Sequence, residues 1–245
     1  MYHWYYIWSP RYEVFHQILS NTLYDASGII LHPIFVEQSA FTRKTEDADH
    51  FFKGNTLKQR VFTRVLEHHK GEFVLCTDAD LAIVDKDKVA SYFDLYKNNH
   101  ITCMKDQIDK DIYNVGCMLI KSTDETIAFF KKVTERVENE NLLDQQVFNE
   151  ELANVSFPHG MFSIPEMIQS NMYEYIYDEN VLIMQSLFSE VDKDKVLVEK
   201  LSSIVLFLDI SHFKQYIPDT IYNELILLMR EQCPTNYVAE WELRT

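Results

Sequence analysis

The stretch Phe73-Val74-Leu75-Cys76-Thr77-Asp78-Ala79-Asp80-Leu81-Ala82-Ile83-Val84 constrains the chain more than any other. A short, β-rich apolar run stops at two carboxylates one residue apart, and a second apolar run follows. The first run lacks helical period and reads as a buried strand. Carboxylates do not enter a core unless they are paired or bound to a metal. Asp78 and Asp80 are therefore expected at the carboxyl end of a central strand, the edge of an open α/β sheet where ligands bind. As exposed ligands they would contribute little to the stability of the core.

Two hard oxygen ligands suit Mg²⁺ or Mn²⁺, which usually bridge to substrate phosphates. The plain alternative is a pair of solvated turn aspartates, one of them capping the next helix. An EF-hand loop needs Gly at its sixth position and Glu at its twelfth. Counted from Asp78 the chain has Ile83 and Val89 there, which excludes it. A phosphatase of the haloacid-dehalogenase type stays open, although Ala82 stands at the fifth position and two strand candidates precede the motif.

The wider composition narrows the partners. Lys+Arg of 23 against Asp+Glu of 38 leaves a net charge of −15, a poor match for nucleic acid or an anionic membrane. An apolar content of 47% over 245 residues supports a sizeable core. Cys76, Cys103, Cys117 and Cys233 form no C-x-x-C pair and read as free thiols of a reducing compartment. No apolar run approaches a membrane span and no signal-peptide pattern is evident, so the expectation is a cytoplasmic protein with no integral membrane segment.

Along the chain, Tyr2 to Trp8 is an aromatic strand closed by Ser9-Pro10. Tyr12 to Leu23 carries apolar residues at helical spacing, and Ile29 to Val36 is a second strand, a βαβ opening that favours a parallel sheet. The turn holding Trp8 and Ser9 would share the sheet edge of Asp78, within reach of a nucleobase or as a plain surface turn. Glu37 to Lys53 reads as a polar loop, with Asn55 or Thr56 capping the helix that follows. On that helix Lys58, Arg60 and Arg64 form either a solvated basic face or, through Lys58, a point charge for a diphosphate. A helix from Val89 to Lys97 and a strand from Ile101 to Met104 follow. Asn114 and Gly116 open the next strand, where Gly permits close approach of a ligand. Ser122 to Glu125 has capping-box spacing. Asp144 and Gln145 begin a short helix whose first turn favours the charge. Ile204 to Leu208 is a late strand candidate and Ile221 to Met229 an amphipathic helix.

The ordered set resembles one family. A strand ending in Asp-x-Asp, Asn114-x-Gly116 opening a strand, a helix with Phe129-Phe130, then Asp144-Gln145-x-x-Phe148-Asn149 is similar to the order in metal-dependent glycosyltransferases of the GT-A fold, closest to the nucleotide-diphospho-sugar transferases. The resemblance runs from about Lys58 to Asn149. It implies a Rossmann-like α/β fold with a mixed, mostly parallel central sheet flanked by helices and a more helical C-terminal part. It also implies one domain over residues 1–245, with 1–121 binding the nucleotide-sugar and 122–245 meeting sugar and acceptor.

By the same resemblance, Asp80 is the direct metal ligand, and Asp78, with Ala79 between them, holds the donor ribose or the metal through water. Asn114 and Gly116 line the donor-sugar pocket, and Asp144 and Gln145 sit beside the sugar ring. The family often adds a late His as third metal ligand, then Gly and Lys that meet the diphosphate. His212 and Lys214 are the candidates, although the Gly is missing, and His159 is the other histidine to consider. The implied reaction moves a sugar from a nucleoside-diphosphate sugar, a UDP-sugar by resemblance, to a hydroxyl of a glycan or glycoprotein, with Mn²⁺ or Mg²⁺ at Asp78 and Asp80. If configuration inverts, Asp144 is the nearest base for the acceptor proton; if it is retained, Gln145 stabilises the back face of the sugar. A metal-dependent phosphatase, a nucleotidyltransferase and a non-catalytic nucleotide-sugar-binding protein are the competing readings.

Overall fold

Alternate residues of the first strand, β1 (Tyr2–Trp8), enter two different cores. Tyr2, Trp4 and Tyr6 are buried on one face, while Tyr5 and Ile7 pack against a second apolar cluster on the other. Period-two burial on both sides is what a strand inside a doubly covered sheet requires. The computed structural model describes residues 1–37, 48–107, 110–170, 180–186, 196–204, 208 and 210–232.

Helix α1 (Glu13–Thr22) buries Val14, Phe15, Ile18 and Leu19 and leads to β2 (Ile29–Phe35), which lies parallel to β1. Helix α2 (Ala48–His68) precedes β3 (Phe73–Thr77), which pairs parallel with the other side of β1. After the short β4 (Leu81–Ile83) come α3 (Lys86–Asp94), β5 (Ile101–Gln107) and β6 (Lys110–Lys121). Helices α4 (Asp124–Glu140) and α5 (Asp144–Leu152) follow, then β7 (His159–Met161), β8 (Met167–Ser170) and β9 (Ile183–Ser186). Two more helices, α6 (Val196–Ile204) and α7 (Asp219–Gln232), complete the described chain.

The main sheet has the order β2-β1-β3-β6-β5-β7, with β6 alone antiparallel to its neighbours. Helices α2, α4 and α5 supply Phe62, Phe130 and Phe148 to the core on one face. On the other face α1, α3, α6 and α7 contribute Phe15, Phe93, Leu201 and Leu225. A second sheet, β4-β9-β8, packs into that core through Ile83, Met184 and Ile168. The expected mixed, mostly parallel α/β architecture is present, and β3 is an interior strand as its apolar run required.

Several local expectations change. Helix α2 starts at Ala48, so Asn55 and Thr56 are interior residues and not caps. A helical Gly54 costs about 1 kcal/mol, which a 21-residue helix burying Phe62 and Leu66 outweighs. The rest of the expected loop, residues 38–47, lies outside the described residues. The capping box of α4 is Thr123 with Thr126, because the Ser122 hydroxyl is spent on Leu66 O at the end of α2. Ile204 ends a helix and does not begin a strand; Leu197, Leu201 and Ile204 already had helical spacing. Cys76, Cys103 and Cys117 are buried free thiols, and Cys233 lies outside the described residues. Among the described residues no helix is long and apolar enough to cross a membrane.

Candidate active site

The aspartates stand where the chain passes from one sheet to the other. Asp78 N donates to Gly116 O at 2.8 Å and extends the β3–β6 ladder by one residue. Two residues later Asp80 O accepts from Ser186 N at 3.0 Å, so Asp80 already belongs to the β4–β9 pairing. Asp78 is partly exposed, its side chain at 36%, whereas Asp80 is buried. Asp80 is 4% exposed, and its Oδ2 pairs with Lys200 Nζ of α6, itself 8% exposed. For Asp80 this overturns the expectation of an exposed ligand carboxylate.

The second ammonium comes from α2. Lys58 Nζ lies 3.2 Å from Asp78 Oδ1 and 2.9 Å from Asp144 Oδ2. Asp144, the first residue of α5, also accepts from Gln59 Nε2 at 3.1 Å and from Gln145 N at 2.9 Å. Gln145 reaches back to the β6 strand, where its Oε1 accepts from Val115 N at 3.4 Å. Asn114 Oδ1 accepts from Gly116 N at 2.6 Å, and its amide donates to Asp106 Oδ1. Gln185 Nε2 donates to Asp78 Oδ2 at 3.3 Å. Lys58, Asp78, Asp80, Asn114, Gly116, Asp144 and Gln145, all legible in the sequence, therefore belong to one network around Ala79.

Burial works against a charge on Lys58, but Asp144 and Asp78 outweigh it and hold the ammonium above its ordinary pKa. Lys200 is likewise raised, with Asp80 and then Tyr12 overcoming its burial. Burial pushes Asp78 up; Lys58 draws it down, while Asp80 and Asp144 push it further up. Among the described residues, three carboxylates (Asp78, Asp80, Asp144) thus face two ammonium groups (Lys58, Lys200), one more acid than base. Asp80 Oδ1 is buried and has no hydrogen-bond partner. A buried carboxylate oxygen without a donor is costly, and a bound cation would satisfy it. The donor set fits a hard divalent ion.

Gln185, Gln59 and Lys200 were not singled out in the sequence. Lys200 did leave a signal, because Leu197 and Ile204 lie three residues before and four after it, on the apolar face of α6. Gly116 is small so that Gln185 can enter: a Cβ there would lie 2.6 Å from Gln185 Cδ. Gly116→Ala should displace Gln185 from Asp78 and lower stability by about 1–3 kcal/mol, read by chemical denaturation. An unchanged midpoint would mean that Gln185 swings aside at no cost.

Of the other expected site residues, Trp8 and Ser9 flank this network and the rest lie elsewhere. Trp8 ends β1 on the same sheet edge as Asp78, its ring stacked on His16 at 4.1 Å. Ser9 is buried, and its carbonyl accepts from Tyr12 N. His212 lines a cavity of about 350 Å³ with Asn21, Thr22 and Tyr216. It does not gather with Asp78 and Asp80. Among the described residues, the one group of three or more metal-ligating side chains is His3, His69 and Glu72. Lys214 Nζ sits over the Tyr222 ring at 4.9 Å, and His159 contacts Tyr113 and Phe157.

Residues 28–213 match the family described as nucleotide-diphospho-sugar transferase. No curated protein matches the chain. Among solved structures, a glycosyltransferase involved in glycosylation of the major capsid of PBCV-1 aligns with TM-score 0.56 at 13% identity, covering 75% of this chain and 93% of that one. The galactosyltransferase LgtC, solved with donor and acceptor sugar analogs, aligns with TM-score 0.52 at 12% identity, covering 90% and 99%. The glycosyltransferase GlyE of Streptococcus pneumoniae TIGR4 aligns with TM-score 0.50 at 15% identity, covering 79% and 56%. These likenesses establish a shared fold.

Proposed function

Because the chain belongs to the nucleotide-diphospho-sugar transferase family, we propose that it moves a sugar from a UDP-sugar to a hydroxyl of a glycan or glycoprotein, with a divalent metal held by Asp78 and Asp80. The observation that carries the metal assignment is Asp80 Oδ1, buried without a partner in a site with one more acid than base among the described residues. A donor diphosphate would meet repulsion there unless a cation offset it. A Mg²⁺ or Mn²⁺ bound there would polarise the departing diphosphate as a Lewis acid.

The chain's own residues supply the rest. Lys58 is a fixed positive charge for the leaving diphosphate, and Lys200 takes the second cationic role that Lys214 was expected to fill. Gln145, tied to the Asn114–Gly116 segment, orients the sugar ring from the α5 side. Both Asp144 oxygens are hydrogen-bonded and its side chain is 9% exposed. It therefore holds Lys58 in place, and accepts a proton from the acceptor hydroxyl only when Lys58 turns to the diphosphate. Trp8 and Ser9 close the base end of the site beside Tyr12, whose ring lies 5.8 Å from Lys200 Nζ. The buried free thiols agree with a reducing compartment such as the cytoplasm.

Thermal unfolding with UDP, Mn²⁺ and both together tests this reading. Only the pair should stabilise the protein, by about 2.7 kcal/mol at a nucleotide concentration a hundredfold above Kd. Stabilisation by phosphate or metal alone, together with hydrolysis of a generic phosphate ester, would point to a phosphatase. Tighter binding of GDP or dTDP would overturn the uridine assignment.

A further inference from the structure

At the opposite edge of the sheet, His3 at the start of β1 meets the turn that joins α2 to β3. His3 pairs in register with Val74, and Asp78 lies four residues farther along β3, about 13 Å at a strand's rise. The potential ligand atoms of His3, His69 and Glu72 all lie within 4.8 Å of one another. His69 Nδ1 is 2.7 Å from Glu72 Oε2, and His3 Nε2 is 3.9 Å from the same oxygen. Tetrahedral ligands at about 2.1 Å from a zinc ion stand about 3.4 Å apart. The two separations to Glu72 differ from that spacing by 0.5 to 0.7 Å, so small side-chain adjustments turn this cluster into three legs of a coordination sphere.

The supporting shell is already in place. A metal-bound imidazole needs its other ring nitrogen held by a partner. His69 Nε2 is hydrogen-bonded to the Tyr5 hydroxyl at 2.7 Å. His3 Nδ1 is hydrogen-bonded to His32 Nε2 at 2.8 Å. Each outward nitrogen is thus fixed by a neighbouring strand residue while the inward one points at Glu72. The His3 and His69 ring centroids lie 4.3 Å apart, so the two imidazoles approach Glu72 side by side. His69 is buried while Glu72 is exposed, so the fourth position opens to solvent.

We propose that His3 Nε2, His69 Nδ1 and a Glu72 carboxylate oxygen bind a single divalent ion of the zinc class, with Tyr5 and His32 orienting the imidazoles. Imidazole and carboxylate ligands in this number suit Zn²⁺, whereas the two aspartates at the other edge suit Mg²⁺ or Mn²⁺. The ion ties β1 to the α2–β3 turn and, through His32, to β2. It is independent of sugar transfer.

Titration of tag-free, chelator-stripped protein with ZnCl₂ by calorimetry tests the site, with Co²⁺ absorption reporting tetrahedral geometry. Wild type should bind one tight Zn²⁺ per chain, and excess Mg²⁺, which suits the aspartates, should not displace it. His3→Ala and the exposed Glu72→Gln should weaken binding at least tenfold, and Tyr5→Phe, which removes only the supporting hydroxyl, should weaken it about tenfold. Absence of stoichiometric Zn²⁺ binding to wild type would overturn the proposal. So would affinity unchanged in both His3→Ala and Glu72→Gln, or displacement of the ion by excess Mg²⁺.

Discussion

Asp80→Asn should lose about 10³-fold in turnover and at the same time destabilise the fold. The catalytic loss follows from removing a ligand of the ion that carries charge in the transition state. The structural loss follows from Lys200, whose ammonium is 8% exposed and paired with Asp80. Breaking one side of a buried ion pair costs about 3–5 kcal/mol, because the other charge stays in the core. The two effects separate in the double variant Asp80→Asn/Lys200→Met. It should recover most of the stability in urea denaturation, with no recovery of transfer. A double variant that transfers sugar at the wild-type rate would reduce Asp80 to a counter-ion of Lys200.

Asp144→Asn should lower turnover about 10²-fold and weaken metal-dependent UDP binding about tenfold. Lys58 keeps Asp78 as a partner but loses the shorter of its two contacts, the 2.9 Å pair with Asp144. The ammonium then no longer stands where the diphosphate needs it. Residues that act through each other are non-additive, so Asp144→Asn/Lys58→Met should be no worse than Lys58→Met alone. A different pattern, turnover down 10²–10⁴-fold with donor affinity untouched, would make Asp144 the acceptor's general base. Calorimetry and initial rates on the same preparations distinguish the two.

The site was readable where its residues break a pattern. Asp78 and Asp80 end an apolar run, Asn114 and Gly116 precede another (although β6 itself begins earlier, at Lys110, so they lie inside it and do not open it), and Asp144 starts a helix, so each is conspicuous in one dimension. Lys200 was not, because a single lysine in an apolar helix looks like a solvated turn of that helix, and only its register with Leu197 and Ile204 turns it inward. His212 was placed at the metal by its position late in the chain, and the structure puts it in a cavity beside Asn21 and Thr22. The second sheet escaped because β4 and β9 have three and four residues, too few for a period to register. The main sheet was legible because β1, β3 and β6 are apolar runs long enough to cross a core.

Ala79 is the only residue between a carboxylate fastened to one sheet and a carboxylate fastened to the other, Asp78 through Gly116 and Asp80 through Ser186. The gap between the two acids is therefore a gauge of how the small sheet is docked on the large one. A ligand that grips both acids acts as a rivet across that joint, and its affinity contains the work of holding two bodies in register. Substitutions deep in β9 or α6, far from any sugar, can thus detune chemistry through the joint alone.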